Sequence, residues 1–484
     1  MTSALSRAPR RLRSLEFPRP LAGIATVAGA AAALVAVYQP SFLNYDARYS
    51  LVWAHDLWHG RQPDYEAPFA PTPHPLQTAV SSLALPFGDG ADVVLIAMVV
   101  LSFGGLVWLA YRLGAELFSP WVGGATAAVV LTRPALHRDA AFAYQDVAFA
   151  MVVVWAVLLE ARSPRRGLPV FVLLAVAGLM RPEAWVLSGL YLLYTWPEAS
   201  PRLRAANACL TACAPLIWAL SDLLVTGDAL HSLHGTSGLA EELGRRRDVD
   251  RVPYWTAQYL GFVLREPLVV GVPLGLAFAW TARSRRAILP LAVAAAMLAV
   301  FALGPVFGLP LVGRYVRTPA VLLSLFYGLA VFGWLLLPDG TPRRRWRALG
   351  LLALALSVVY LPKHGDLISG LRDRVDSYGR YYDSLQQVGR SGDVRAAVAA
   401  CGPLSAADHR PIPHVRWWLR APPGSVRTVE GDPTSLTSLL LVPRDTRPVR
   451  RFYRDAFPQV KPPRDYRRLY RNRDWAVYAD PRCR

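Results

Sequence analysis

Asp46 is a lone carboxylate a few residues past the first apolar run of this 484-residue chain, and His74, Arg138, Arg181, Arg314 and Arg317 stand in later connectors between such runs. A carboxylate in that setting can act as general base toward a hydroxyl group. Guanidinium and imidazole groups supply the charge and hydrogen-bond donors that a phosphate requires. The combination suits attack of a hydroxyl on a sugar phosphate. The departing phosphate needs no general acid, so one base suffices for an inverting displacement. Each residue also has a plainer reading: Asp46 can cap a helix, the arginines can reach toward lipid headgroups, and Arg181 can pair locally with Glu183. Asp64 and Glu66 read as loop surface.

A membrane-embedded scaffold must position these groups. Hydrophobic residues make up 53% of the chain, above the share of ordinary soluble proteins. Apolar runs recur at 21–38, 93–110, 121–132, 147–159, 168–180, 184–196, 205–220, 267–281, 287–303, 319–337 and 348–361. Read as helices, they predict a mainly α, polytopic transmembrane bundle of about eleven spans. The run at 21–38 follows Arg7, Arg10, Arg11, Arg13 and Arg19 and reads as a retained anchor, because many spans come after it. The expected organisation is a cytoplasmic N-terminal tail at 1–20, a transmembrane domain at 21–361 with a long first outer loop at 39–91, and a small extracytoplasmic α/β domain at 362–484.

Arginines cluster in alternate connectors: Arg162, Arg165 and Arg166; Arg202 and Arg204; Arg283, Arg285 and Arg286; Arg343, Arg344, Arg345 and Arg347. The positive-inside rule then holds the N-terminus in the cytoplasm and, after an odd number of spans, sends the polar domain outside. Runs 168–180 and 184–196 hold 13 residues each, against roughly 20 for a full crossing. Merging them into one span puts two arginine clusters on opposite sides, so they read as a hairpin with its tip, Arg181-Pro182-Glu183, short of the outer surface. Runs 121–132 and 147–159 behave alike around the polar connector 137–146, which carries Arg138, Asp139 and Asp146. Charges at such depth are tolerated where water or protein surrounds them. The two hairpins therefore predict a hydrated recess opening outward, the candidate active site. In the first outer loop, 49–58 predicts a short helix lying in the membrane interface, and the prolines from Pro63 to Pro75 predict a stiff, extended stretch.

The net charge of +19 does not mark a nucleic-acid partner, because the arginines sit in short connectors and in the polar tail, where they set orientation or meet anionic headgroups. Residues 362–484 hold 23 basic against 13 acidic side chains, which suits anionic headgroups, an anionic glycan, or simply a solvated face. Within this tail the pattern predicts a helix at 394–401 and strands at 437–442 and 475–478. Cys401 and Cys483 bracket most of it; outside the cytoplasm they can pair, and otherwise they are two free thiols. Cys209 and Cys213, one helical turn apart in an apolar run, read as core packing. No metal-ligand spacing is present.

Asp46 after the first span, His74-Pro75-Leu76, Tyr144-Gln145-Asp146, Leu179-Met180-Arg181-Pro182-Glu183 and Gly313-Arg314-Tyr315 follow one another across residues 20–340. In that order they make the chain resemble the GT-C class of glycosyltransferases, including its mannosyltransferase-like branches. The resemblance implies an integral enzyme of the bacterial plasma membrane that moves a sugar from a polyprenyl-phosphate donor to a glycan, lipid or protein acceptor on the outer face. It implies Asp46 as the catalytic base, Asp139 or Asp146 as a second acid that orients donor or acceptor, and His74 as a phosphate contact. Arg138, Arg181, Glu183, Arg314 and Arg317 complete the expected donor-phosphate and substrate set. Many relatives carry two adjacent acids in the first loop, whereas Ala47 and Arg48 follow Asp46 here. A divalent metal therefore stays open and no cofactor is assigned. The rival class is a transporter or lipid flippase, in which charges at membrane depth mark a substrate path. Against it, the sequence has no internal repeat and its polar residues cluster on one side.

Overall fold

The computed structural model describes residues 19–444 and 460–483; the arginines expected to orient the N-terminal tail, Arg7 to Arg13, lie outside the described residues. Helices dominate, and a five-stranded sheet forms from the C-terminal part of the chain. The chain divides into two compact units. The first holds the chain up to Tyr38, Ala97–Ala219 and Ala240–Leu371; the second holds Gln39–Ile96, Leu220–Leu239 and Arg372–Arg484.

Five helical segments are long and apolar enough to cross a membrane: Pro20–Tyr38, Pro75–Leu117, Pro201–Thr226, Arg285–Phe307 and Gly313–Leu336. Three bent pairs raise the number to as many as 8 if each is one span: Pro134–Ala141 with Asp146–Arg162 at 118°, Val249–Leu264 with Leu268–Thr281 at 100°, and Thr341–Val359 with Leu361–Arg390 at 43°. Pro120–Thr132 and Leu168–Met180 are shorter apolar helices. The protein is thus an integral membrane protein, mainly helical, with a small sheet. The two sharpest bends each hold a residue in the left-handed region, Ala143 at φ 54° and Arg265 at φ 57°. That conformation cannot continue a right-handed helix, so the chain turns there.

Helix Arg317–Phe332 is buried from Arg317 through Val331 and forms the axis of the first unit. Helix Leu268–Thr281 packs on it through small residues: a Cβ at Gly275 would overlap the Phe326 carbonyl oxygen, and one at Gly271 would meet the Tyr327 ring. Close backbone approach of this kind replaces the hydrophobic effect as the packing force between membrane helices. Helix Pro201–Thr226 instead turns most of its apolar surface outward. Cys209 on it is exposed and Cys213 half-buried, so the expected core packing of that pair is not what the structure holds. An apolar run in a membrane protein meets lipid as readily as core.

In the second unit, helix Tyr45–Trp58 starts at Asn44, whose side chain accepts the Ala47 N–H at 3.0 Å. It was expected to lie in the membrane interface, yet it is buried on nearly every side. The reason is that its charged residues are paired inside the protein. Arg48, 2% exposed, donates to both oxygens of Asp92, one at 2.7 Å. Asp56, fully buried, accepts from Arg416 of helix Ile412–Leu419. Asp64 is likewise not loop surface: it accepts Arg416 Nη1 at 2.7 Å and Trp53 Nε1 at 3.0 Å. Glu66 is exposed, as expected.

The sheet runs in the order β2-β1-β3-β5-β4, with β1 Leu404–Ala406, β2 Val426–Thr428, β3 Leu439–Pro443, β4 Arg467–Arg471 and β5 Trp475–Ala479. β1 lies parallel to β2 and β3, while β5 lies antiparallel to β3 and β4. The three elements expected in the tail appear as helix Gly392–Cys401, β3 and β5. Helix Leu361–Arg390, 30 residues long, comes before these elements in the chain. Cys401 and Cys483 form a disulfide, with Cα atoms 5.5 Å apart.

Candidate active site

In the first unit, the charged cluster is built from the ends of short helices. Leu168–Met180 stops at Arg181, whose N–H bonds back to the Ala177 carbonyl at 2.8 Å, and Pro182 then starts the return toward helix Glu183–Thr195. Asp146 opens helix Asp146–Arg162, and Arg314 and Tyr315 lie in the turn Gly313–Val316. The Arg181 guanidinium binds Asp146 through Nη1 and Glu183 through Nη2, the latter at 2.7 Å. Its plane stands over the Tyr315 ring at 4.5 Å. Arg314 reaches the other Asp146 oxygen at 3.6 Å and stands over the Tyr144 ring at 4.4 Å. Three sequence-distant connectors thus meet around one buried carboxylate.

Arg245 acts on the same Tyr315 ring as Arg181, Glu183 and Arg314, and the members of the cluster differ in access. Arg181 is 7% exposed and bound by two carboxylates, whereas the Arg314 side chain is 25% exposed. Arg138 is half-buried and has no ion-pair partner among the described residues. Arg317 and Asp139, 3% and 0% exposed, bind each other at 2.6 Å, and Arg317 also donates to the Gly313 carbonyl. That pair braces helix Pro134–Ala141 against helix Arg317–Phe332. Tyr144 and Tyr315 carry the two guanidinium planes, a role that sequence reasoning did not give them. The only sequence signal was their place beside Asp146 and Arg314.

In the second unit, Asp46 is half-buried in the first turn of helix Tyr45–Trp58, and its carbonyl accepts Ser50 Oγ at 3.1 Å. Capping falls to Asn44 instead. Tyr45 fixes the same turn by donating its hydroxyl to the Phe69 carbonyl at 2.8 Å. His74 is the N-cap residue of helix Pro75–Ala84 and is half-buried. Two further histidines of this unit are held neutral. Burial pushes His55 down to about 4, helped by His59, and burial with the charges of Arg48 and Arg410 holds His414 well below its usual value. Among the described residues no group of three or more His, Cys, Asp or Glu side chains is gathered for a metal ion.

No protein-family model matches the sequence, and no curated protein matches it. Solved structures do. ArnT from Cupriavidus metallidurans bound to undecaprenyl phosphate superposes with a TM-score of 0.57 at 14% identity, covering 95% of this chain and 98% of that one. The same protein in the apo state gives 0.52 at 13% identity, covering 95% and 97%. An oligosaccharyltransferase from Archaeoglobus fulgidus, in complex with zinc and sulfate, gives 0.48 at 14% identity over 82% of this chain and 61% of its own. The fold that carries the clustered arginines is therefore one shared with ArnT over nearly the whole of both chains.

Proposed function

We propose that the protein is a membrane glycosyltransferase that moves a sugar from a polyprenyl-phosphate donor to an acceptor hydroxyl on the outer face of a bacterial plasma membrane. The observation that carries this reading is the meeting of Arg181, Arg314, Asp146 and Glu183, with Arg138 of helix Pro134–Ala141 without an ion-pair partner among the described residues. A charged cluster fits a phosphate that must be bound, neutralised and released. The likeness in fold to ArnT, solved with undecaprenyl phosphate, supports a lipid phosphate as that ligand.

In this mechanism Asp46 takes the proton from the acceptor hydroxyl as its oxygen bonds to the anomeric carbon. The bond from that carbon to the phosphate oxygen breaks, and polyprenyl phosphate leaves with the electron pair. Attack from the face opposite the phosphate inverts the anomeric centre. Arg138 and Arg314 take up the charge of the departing phosphate, and Arg181 holds Asp146 and Glu183 in place. His74 makes a further phosphate contact, and the Arg317–Asp139 pair keeps the connector rigid. The acceptor is a glycan, lipid or protein hydroxyl.

The proposed topology has eleven spans, with the N-terminus in the cytoplasm and the C-terminal domain outside. This reading counts the five long segments, the three bent pairs, Pro120–Thr132, Leu168–Met180 and Glu183–Thr195 as one span each. The Cys401–Cys483 disulfide supports an oxidising compartment for the tail.

The test incubates the purified protein with radiolabelled polyprenyl-phosphate sugars and membrane extract. Wild type forms a labelled product. Asp46→Asn retains donor binding and loses turnover by roughly 10²–10⁴-fold, the usual worth of a general base. Lipid translocation without any glycosyl product identifies a flippase and overturns the proposal, as does full turnover by Asp46→Asn.

A further inference from the structure

Arg133 is 5% exposed and bonds only neutral oxygens: Nε to the Val129 carbonyl at 3.3 Å, Nη1 to the Leu264 carbonyl at 2.7 Å, and Nη2 to Thr132 Oγ1 at 3.2 Å. No carboxylate pairs with it among the described residues. A buried charge without a countercharge costs several kcal/mol, and in membrane proteins such charges mark ligand sites.

The bond to Leu264 sets Arg133 against the sharp bend in which Arg265 takes its left-handed conformation. Glu266 follows and binds Lys363 Nζ at 3.0 Å, which brings the start of helix Leu361–Arg390 to the same bend. His364 comes next and is 8% exposed. Its Nδ1 donates to the Tyr360 carbonyl at 3.3 Å, and its Nε2 is buried without a partner. Arg133, Arg265 and Glu266 all act electrostatically on this ring. Lys363 and Arg265 thus share the one carboxylate, Glu266, while Arg133 and Arg265 act on the His364 ring.

We propose that this bend binds an anionic phosphate group at a site that shares no residue with the Arg181–Arg314 cluster. The phosphate oxygens accept from the Arg265 guanidinium and, as the bound anion draws a second proton onto the ring, from His364 Nε2, and their charge offsets that of Arg133. A phospholipid headgroup and free inorganic phosphate present the same chemistry.

Native mass spectrometry of the full chain in detergent micelles separates them, with phosphatidylglycerol, phosphatidylcholine and inorganic phosphate as the probes. Wild type retains an adduct of phosphatidylglycerol in preference to phosphatidylcholine. Arg265→Gln weakens that adduct roughly tenfold, the worth of one charge-assisted contact, and His364→Gln weakens it as well. Arg285→Gln, at an exposed arginine, leaves it unchanged. If inorganic phosphate alone gives the Arg265-dependent adduct, the site stands with free phosphate as its ligand. Equal retention of the two lipids with no phosphate adduct overturns the proposal, and so does any adduct indifferent to both Arg265→Gln and His364→Gln.

Discussion

Arg416→Met tests whether the helix that carries Asp46 is held by a buried charge rather than by apolar packing alone. Arg416 is 1% exposed and binds Asp56, itself 0% exposed, and Asp64, whose side chain is 17% exposed. Methionine fills much of the same space, so the change isolates the charge. Losing one partner of a buried pair costs about 3–5 kcal/mol, and Arg61, whose Nε stays 3.4 Å from Asp56, holds the loss toward the lower end of that range. Asp64 adds well under about 1 kcal/mol, because solvent reaches it. Hydrogen exchange on the full chain in micelles reads the effect locally. Amides of helices Tyr45–Trp58 and Ile412–Leu419 should exchange roughly 10²–10⁴-fold faster, since each 1.4 kcal/mol is a factor of ten in the open population. Adding Asp56→Asn should restore part of the protection, because a neutral amide is cheaper to bury than a lone carboxylate. Protection unchanged within about threefold in the single variant, or a double variant no better protected than the single, refutes the reasoning.

Two further outcomes follow from the packing and the titrating groups. Gly275→Ala forces a Cβ into the Phe326 carbonyl, which backbone cannot yield; thermal unfolding should show a loss of about 1–3 kcal/mol, whereas Gly189→Ala, with open space at its Cβ, should be neutral or slightly stabilising. Equal behaviour of the two variants contradicts the close helix approach. His414 is held neutral in the folded protein, so below about pH 6.5 the unfolded chain takes up a proton that the folded chain refuses, and stability falls by about 1.4 kcal/mol per pH unit. His414→Phe, which keeps the stack on Tyr382, should remove that one-proton slope from stability measured between pH 7.5 and 5; an unaltered slope shows that His414 is not the group responsible.

Much of the cluster in the first unit was legible before any coordinates, for a physical reason. Connectors on one side of a membrane share a thin layer of space, so Asp146, Arg181 and Arg314 had few places to go except toward one another. Alternation of arginine clusters was enough to put them in that layer. The fold of the second unit was far less legible. Arg416 binds residues 352 and 360 positions away, and nothing local announces such a pairing. Asp56 fell within the helix expected at 49–58 to lie in the interface, because its partner Arg416 lies outside the window in which periodicity is read. The bends at Ala143 and Arg265 were equally hidden, since neither residue type favours a left-handed conformation and tertiary packing imposes it.

Charge compensation separates the arginines that hold the fold from those available to a ligand. Arg48 with Asp92 and Arg317 with Asp139 are buried pairs, and Arg416 binds both Asp56 and Asp64 while Arg61 also meets Asp56; each of these contacts made by Arg48, Arg317 and Arg416 joins elements distant in sequence. A phosphate entering any of them must displace a carboxylate already in contact, which costs most of what it gains. Arg181 belongs nearer to this group than its motif suggests, because two carboxylates already saturate it. Arg314 is different: its contact with Asp146 is at 3.6 Å, and a quarter of its side-chain surface is open to an incoming anion. Arg138 and Arg133 have no carboxylate at all among the described residues. Of the arginines that the sequence nominated for phosphate, Arg138 and Arg314 are therefore the ones the proposed mechanism loads with transition-state charge, while Arg181 serves by fixing the carboxylates around them.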